Sequence, residues 1–355
     1  MSDLLYGEIE DDLRSGLRGM LDERCAWPDV LAGAEKDEPS DASLWGVLTG
    51  FDVLGLPVPE EHGGAGATWR ETAVVMEELG RAVAPVPFLT SSAMATAALL
   101  AAGDELLPAL ASGERTAVLA VPFGTAPDAP LPSVRVSGGR LTGGIRDVAD
   151  ALAADVLLVP APDALYAVNA DDVVRAPVTS LDMTRRLGDV TLADTPGRVV
   201  ASGEEAVRAA LTAGAAMLAS EQLGLAQHCL DITVAYLKTR YQFGRPVGSY
   251  QGLKHRLADL WTSVTQARAV ARHAAACLAA GDTDLPVAAA LAQAHCSRVA
   301  VLAAEECVQM HGGIGFTWEH PAHLYLKRAK ADAIALGTPG HHRATLARLV
   351  DLPPA

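Results

Sequence analysis

The chain has 355 residues, half of them apolar, and a formal net charge of −15, which argues against general attraction to nucleic acid or anionic lipid because phosphate-rich surfaces select clustered Lys and Arg. It contains no uninterrupted apolar run long enough to cross a bilayer, and its acidic start lacks a basic n-region, so export and membrane spanning are not expected and a cytoplasmic setting is. Cys25, Cys229, Cys277, Cys296 and Cys307 show neither CxxC nor Cys/His ligand spacing, which excludes the usual disulfide framework and zinc site and leaves reduced, buried thiols.

Length permits two or three domains. With 5% aromatic residues and abundant Ala and Leu, closely packed helices are favoured over a large β structure. Three regions follow from periodicity. Residues 1–112 read as an N-terminal helical domain, in which Trp69 to Ala82 places Val74, Val75 and Leu79 on one face after the turn-rich Pro57 to Gly66. Residues 113–201 read as a small β domain, because short apolar runs at 117–121, 155–159 and 165–168 are broken by Pro, Gly and Asp.

Residues 202–355 return to helical spacing and predict a bundle. Ser202 with Glu205 has capping-box spacing, and Val207, Leu211, Ala215, Leu218, Leu225, Cys229 and Ile232 recur over many turns after it. A second helix is expected from about Ser249 to Ala280, stopped by Gly281. A third starts near Asp284 and Pro286 and runs to Gly312 and Gly313, and a fourth spans Pro321 to about Leu336.

Two segments of the bundle carry chemistry. In Lys238-Thr-Arg-Tyr-Gln-Phe-Gly-Arg-Pro-Val-Gly-Ser-Tyr-Gln251, Arg240 offers a planar fork of donors for a phosphate, while Phe243 and Gln242 suit stacking on and hydrogen bonding to a heteroaromatic ring. The plainer reading is a helix-to-helix turn with an ordinary arginine. In Gln309-Met-His-Gly-Gly-Ile-Gly-Phe-Thr-Trp-Glu-His320, the glycines at 312, 313 and 315 allow close backbone approach, so that N–H groups can face a pyrophosphate; they would equally end a helix.

In this order and layout the segments resemble the acyl-CoA dehydrogenase family over nearly the whole chain. Leu56 to Gly66 looks like the family's N-terminal turn, Arg240 to Gly244 matches its RxxFG element, and Gln309 to Phe316 matches its QxxGGxGF element. The resemblance implies a mainly α fold with a middle β barrel and a C-terminal four-helix bundle, assembled as a tetramer with FAD spanning a subunit contact. It implies that Arg240 binds FAD phosphate and that Phe243 and Gln242 lie near adenine, supported by Gln251. Gln309, Gly312 and Gly313 would meet the FAD of a neighbouring chain, and Thr338 would also touch the cofactor. An acyl-CoA would be the substrate, and an electron-transfer acceptor protein would reoxidise the flavin.

Chemistry of this kind removes an α proton while the β hydrogen leaves as hydride, so a placed carboxylate and donors to the thioester carbonyl must both lower the barrier. The carboxylate is missing. Relatives carry Glu in a Tyr-Glu-Gly-Thr string where this chain has Ala335, Leu336, Gly337 and Thr338. Ala329 and Lys330 secure that register. A second subgroup places the base after the Arg of RxxFG, where this chain has Tyr241, a phenol with an ordinary pKa of about 10.

Asp332, one helical turn before Leu336, is the remaining local candidate, with a solvated or ion-paired residue near Arg328 as the plainer account. The β domain departs as well. Val121 to Ala126 replaces a Thr-Glu-Pro…Ala-Gly-Ser string, and Asp147-Val-Ala-Asp150 replaces an aromatic-Ile-Thr-Asn string beside the flavin ring, with Ala149 at the hydroxyl position.

This pattern resembles the smaller, base-lacking subunit of actinobacterial heterotetrameric acyl-CoA dehydrogenases that act on steroid side-chain thioesters. It implies an unlike, base-bearing partner. A flavin monooxygenase or oxidase on the same fold and a non-catalytic scaffold are the other classes to weigh. His228, His255, His273 and His295 show no metal spacing, and His341, His342, Arg343, Glu305 and Glu306 are read as structural or solvated.

Overall fold

A computed structural model describes residues 4–352 except Asp37, Pro39 and Ser133. The N-terminal helices are α1 (Glu8–Arg24), α2 (Trp27–Glu35), α3 (Ala42–Gly50), α4 (Trp69–Ala82), α5 (Thr96–Ala102) and α6 (Leu107–Ala111), with a π-helical turn over Phe88–Ala95 leading into α5. α4 begins on a capping box, in which the Arg70 N–H donates to Thr68 Oγ1 at 3.1 Å and the Thr68 N–H donates to Glu71 at 2.8 Å. Residues 72–80 of α4 are buried all round, which is expected of a helix enclosed on every side.

The β region contains β1 (Ala117–Leu119), β2 (Arg135–Ser137), β3 (Arg140–Ala149), β4 (Val156–Pro160), β5 (Ala164–Asn169), β6 (Val174–Val178), β7 (Leu187–Pro196) and β8 (Arg198–Ser202). These form two four-stranded sheets, in the orders β1-β4-β5-β8 and β2-β3-β7-β6, packed on a shared core that includes Val118, Leu141, Ile145, Val148, Leu157 and Val190. The expected barrel is therefore corrected to a pair of sheets that do not close on one another. β1 and β2, each an edge strand of three residues, leave little ladder from which a closing seam could be built.

The C-terminal helices are α7 (Glu205–Thr239), α8 (Gln251–Ala280), α9 (Leu285–His311), α10 (Ala322–Asp332) and α11 (Pro339–Leu349). The hairpin β9 (Tyr241–Gln242) and β10 (Arg245–Pro246) joins α7 to α8. Gly281, at φ 60°, ends α8, and Pro286 sits in the first turn of α9, as the sequence predicts. Two expectations are corrected. Ser202 closes β8 and caps nothing; the residue before α7 is Glu204, without a side-chain cap. The fourth helix stops at Asp332, four residues short of Leu336, and the chain turns there.

By length and composition the segment Leu285–Phe316 could span a bilayer, but 67% of its most apolar stretch is buried inside the bundle, as befits a core helix. α4 and α7 cross at van der Waals closeness. A Cβ on Gly80 would lie 2.1 Å from the Glu221 carbonyl oxygen, and one on Gly224 would lie 1.8 Å from that of Glu77, so glycine is required at both crossing points. This contact fixes Glu221 where α7 meets the β region.

Candidate functional site

The hairpin after α7 is unusually exposed for its composition. Phe243 and Gly244 form its two-residue turn with φ of 51° and 77°, the left-handed pair that suits the twist of the flanking strands. Left-handed backbone costs a bulky residue energy, yet Phe243 is 93% exposed and gains little packing among the described residues in return. Tyr241, at the position of the alternative base, is 62% exposed. Arg245 is committed to the Tyr250 ring at 3.8 Å, whereas Arg240 has no ion pair among the described residues. Gln242 is exposed, and so is Gln251 at the first turn of α8, where Nε2 lies 3.5 Å from His255.

The glycine segment lies at the same end of the bundle. Tyr236, in the last turn of α7, stacks on His311 at 4.4 Å, and His311 meets His320 at 4.2 Å, which ties the hairpin's root to the end of α9. Gly312 has φ 64°, and a Cβ added at Gly312 or Gly313 would meet nothing within 4 Å, so packing does not require glycine at either place. Both residues are exposed, and the Gly312 N–H donates to the Gln309 carbonyl where α9 ends. Gly315 differs, because a Cβ there would lie 2.7 Å from the Val308 carbonyl oxygen. Gln309 is exposed beside them, and Phe316 and Trp318 add further uncovered aromatic surface. The joining residues Tyr236, His311 and His320 were missed in the sequence, where each reads as an ordinary helical or turn residue.

The Leu336 region is the opposite kind of place. Leu336 has φ 52° and no exposed surface; its N–H donates to the Phe123 carbonyl at 2.7 Å, and its own carbonyl lies 2.9 Å from His342 Nε2. A Cβ on Gly214 would come within 3.1 Å of Leu336 Cδ1 and 2.7 Å of Met94, so the leucine packs into a filled space between α7 and the π-helical turn. Thr338 lies beyond Leu336, at the far end of α10 from the glycine segment, and its hydroxyl accepts the His341 N–H at 3.2 Å as the cap of α11. That oxygen keeps its own proton to donate. α11 is tied to the β region through Asp128, which meets His341 at 2.6 Å, Thr345 at 2.8 Å and Arg348 at 2.7 Å. Partial burial would raise the Asp128 carboxyl, but the bonds from His341 and Thr345 outweigh it and hold it down at about 2.

Asp332 does not continue a helical face toward Leu336, because α10 ends at it. It is wholly buried in an ionic cluster, where Oδ1 accepts from Arg185 Nη1 at 2.8 Å. Arg185 also donates to Glu221 at 2.7 Å, and Arg328 donates to Glu221 at 2.7 Å, to Thr184 at 2.7 Å and to Asp182. The cluster borders both β-region segments that depart from the family pattern. Arg185 lies 5.5 Å from the Phe123 ring, and the buried Asp150 accepts from the Thr90 hydroxyl at 2.8 Å. All five cysteines are buried and unpaired.

The donor set at the bundle end fits a dinucleotide: an uncommitted guanidinium, uncovered backbone at Gly312 and Gly313, and an aromatic ring held out in solvent. Sequence and structure comparisons give the family. Residues 8–114 match the acyl-CoA dehydrogenase N-terminal domain model and residues 201–350 match the acyl-CoA dehydrogenase C-terminal domain model. The acyl-CoA dehydrogenase IpdE2 of Mycolicibacterium smegmatis is 36% identical over 334 residues, covering 94% of this chain and 96% of that protein.

Among solved structures, the ChsE4-ChsE5 complex of Mycobacterium tuberculosis superposes with a TM-score of 0.90 at 28% identity, covering 100% of both chains. The Tcur3481-Tcur3483 steroid acyl-CoA dehydrogenase superposes with a TM-score of 0.88 at 30% identity, covering 98% of this chain and 99% of that one. The chain belongs to the acyl-CoA dehydrogenase family, FAD-dependent oxidoreductases of CoA thioesters.

Proposed function

We propose that this chain is the base-lacking subunit of a hetero-oligomeric acyl-CoA dehydrogenase, working in the cytoplasm on a bulky thioester of the steroid side-chain type. The observation that carries the reading is Leu336, a leucine sealed in the core at the position where relatives hold the carboxylate that takes the α proton. Tyr241 is a phenol out in solvent, and Asp332 is occupied by Arg185 behind the same wall. None of these three positions offers a free carboxylate to a thioester. The similarity to the ChsE4-ChsE5 complex and to a steroid acyl-CoA dehydrogenase supports an unlike partner and a steroid-type acyl group.

FAD supplies the hydride acceptor when bound. The chain's own residues bind and orient it: Arg240 neutralises phosphate charge, Phe243 offers a stacking face, and Gln242 and Gln251 offer amides. Gln309 and the exposed Gly312 and Gly313, which let a ligand approach the backbone closely, would complete the site of an adjoining chain, and the Thr338 hydroxyl would donate to the cofactor. The partner then supplies the base, and an electron-transfer protein removes the electrons. Co-expression with a base-bearing acyl-CoA dehydrogenase chain tests the reading. A stable complex with FAD and turnover is expected, whereas stoichiometric FAD and turnover from this chain by itself would contradict it.

A further inference from the structure

The ionic cluster has more carboxyl groups than cations. Four acids meet there, Asp150 from the end of β3, Asp182 from the loop before β7, Glu221 from α7 and Asp332 from α10, against the guanidiniums of Arg185 from that loop and Arg328 from α10. All six side chains are buried. The hydrogen bonds are unevenly shared. Glu221 receives both arginines and Asp182 receives Arg328 as well as the Thr184 hydroxyl. Asp332 receives one bond on Oδ1, and its Oδ2 is buried with no hydrogen-bond partner.

An ionised oxygen sealed from water without a donor costs far more than a neutral carboxyl in the same place. Burial first, and then the Glu221 charge, push the Asp332 carboxyl well above its usual range, while the two arginines hold Glu221 below its own. Asp150, raised by burial and opposed by Arg185 and its Thr90 bond, stands at about 6.

We propose that this cluster is a proton-holding latch between the β region and the helical bundle, in which Asp332 is the protonated member and its ionisation loosens the 180–186 loop from α7 and α10. The geometry gives the latch its reach. Arg185 and Asp182 hold the loop to two helices at once, and the loop leads directly into β7. The sign follows from proton counting. The folded chain keeps a proton that an unfolded Asp332, with its ordinary pKa of about 4, has already lost, so stability from this group falls as pH rises from the ordinary carboxylate range toward the folded value.

The test is thermal unfolding of the full chain from pH 4 to pH 10, native against Asp332→Asn and Asp150→Asn, with amide hydrogen exchange of residues 180–186 at both ends. Asparagine copies the neutral carboxyl and keeps its acceptor for Arg185. Native protein is expected to lose several degrees more than Asp332→Asn over that range, and at pH 10 its loop is expected to be less protected, relative to the intrinsic exchange rate, than that of the variant. Asp150→Asn, which removes excess negative charge without touching the Arg185–Asp332 pair, is expected to flatten the curve in part. Parallel curves for native and Asp332→Asn would overturn the proposal. So would an Asp332→Asn chain that unfolds earlier than native, or fails to fold, at pH 6, because Asp332 would then be acting as an ionised partner. Neither readout needs flavin or a partner chain, so this result is separable from the proposed function.

Discussion

The hairpin end of the bundle and the Leu336 region are built in opposite ways. At the hairpin end, groups able to hold a ligand are left unused: Phe243 is strained and in solvent, Arg240 is without an ion pair among the described residues, and the Gly312 and Gly313 backbone is uncovered. Around Leu336 nearly every group is already spent on another, down to the leucine's own N–H and carbonyl. On the proposed function the contrast has one meaning: exposed cofactor-binding groups and a filled pocket suit a chain that completes a site with another chain.

Substitutions sharpen this contrast because they should act through stability in one region and through binding in the other. The largest effect is expected from Arg328→Met, which leaves Asp182 buried without its cation and Glu221 with one of its two; a loss of about 3–5 kcal/mol is expected, read by urea unfolding. Leu336→Glu comes next. A carboxylate forced into the packed space against Met94 and Gly214 is expected to cost about 3 kcal/mol and to confer no dehydrogenation on the isolated chain, checked by unfolding and by an acyl-CoA assay with an artificial acceptor.

Arg240→Ala should leave stability within about 0.5 kcal/mol of native, since the side chain is exposed, and raise the FAD dissociation constant of the complex about tenfold or more by removing a charge-assisted bond to phosphate. Phe243→Gly separates the two currents within one residue. Relief of the left-handed backbone should raise stability by up to about 1 kcal/mol while FAD is held less tightly, measured by unfolding and by flavin fluorescence titration.

The smallest effect is expected at Asp128. Its folded value of about 2 lies below the ordinary carboxylate range, so its contribution is present above that range and is lost as pH falls through the folded value. Thermal scans should show native protein and Asp128→Asn converging as the pH approaches 2.

What could be read in the sequence was local. Arg240, Phe243 and the glycines occupy consecutive stretches whose chemistry does not depend on distant partners, and α4, α8 and α9 carry their own caps and stops. The ionic cluster was not legible, because Asp150, the 182–185 loop, Glu221 and Arg328 come from four separate segments and each charge passes as a surface one until the chain folds. Ser202 mimicked a cap because hydroxyl and carboxylate spacing is blind to the strand that claims the serine. The end of α10 was hidden because a leucine gives no sign that its backbone will be left-handed, and a turn beginning at Asp332 removes the face it was expected to share with Leu336. The closed barrel failed for a different reason, since short apolar runs indicate strands and say little about whether the last strand reaches the first.

The most direct measurement is acyl-CoA dehydrogenation by this chain purified alone, with FAD and an artificial acceptor in excess, set beside the same assay on its complex with a base-bearing partner. No turnover alone and turnover in the complex are predicted. Brisk turnover alone, abolished by neutralising one of this chain's own carboxylates, would contradict the account.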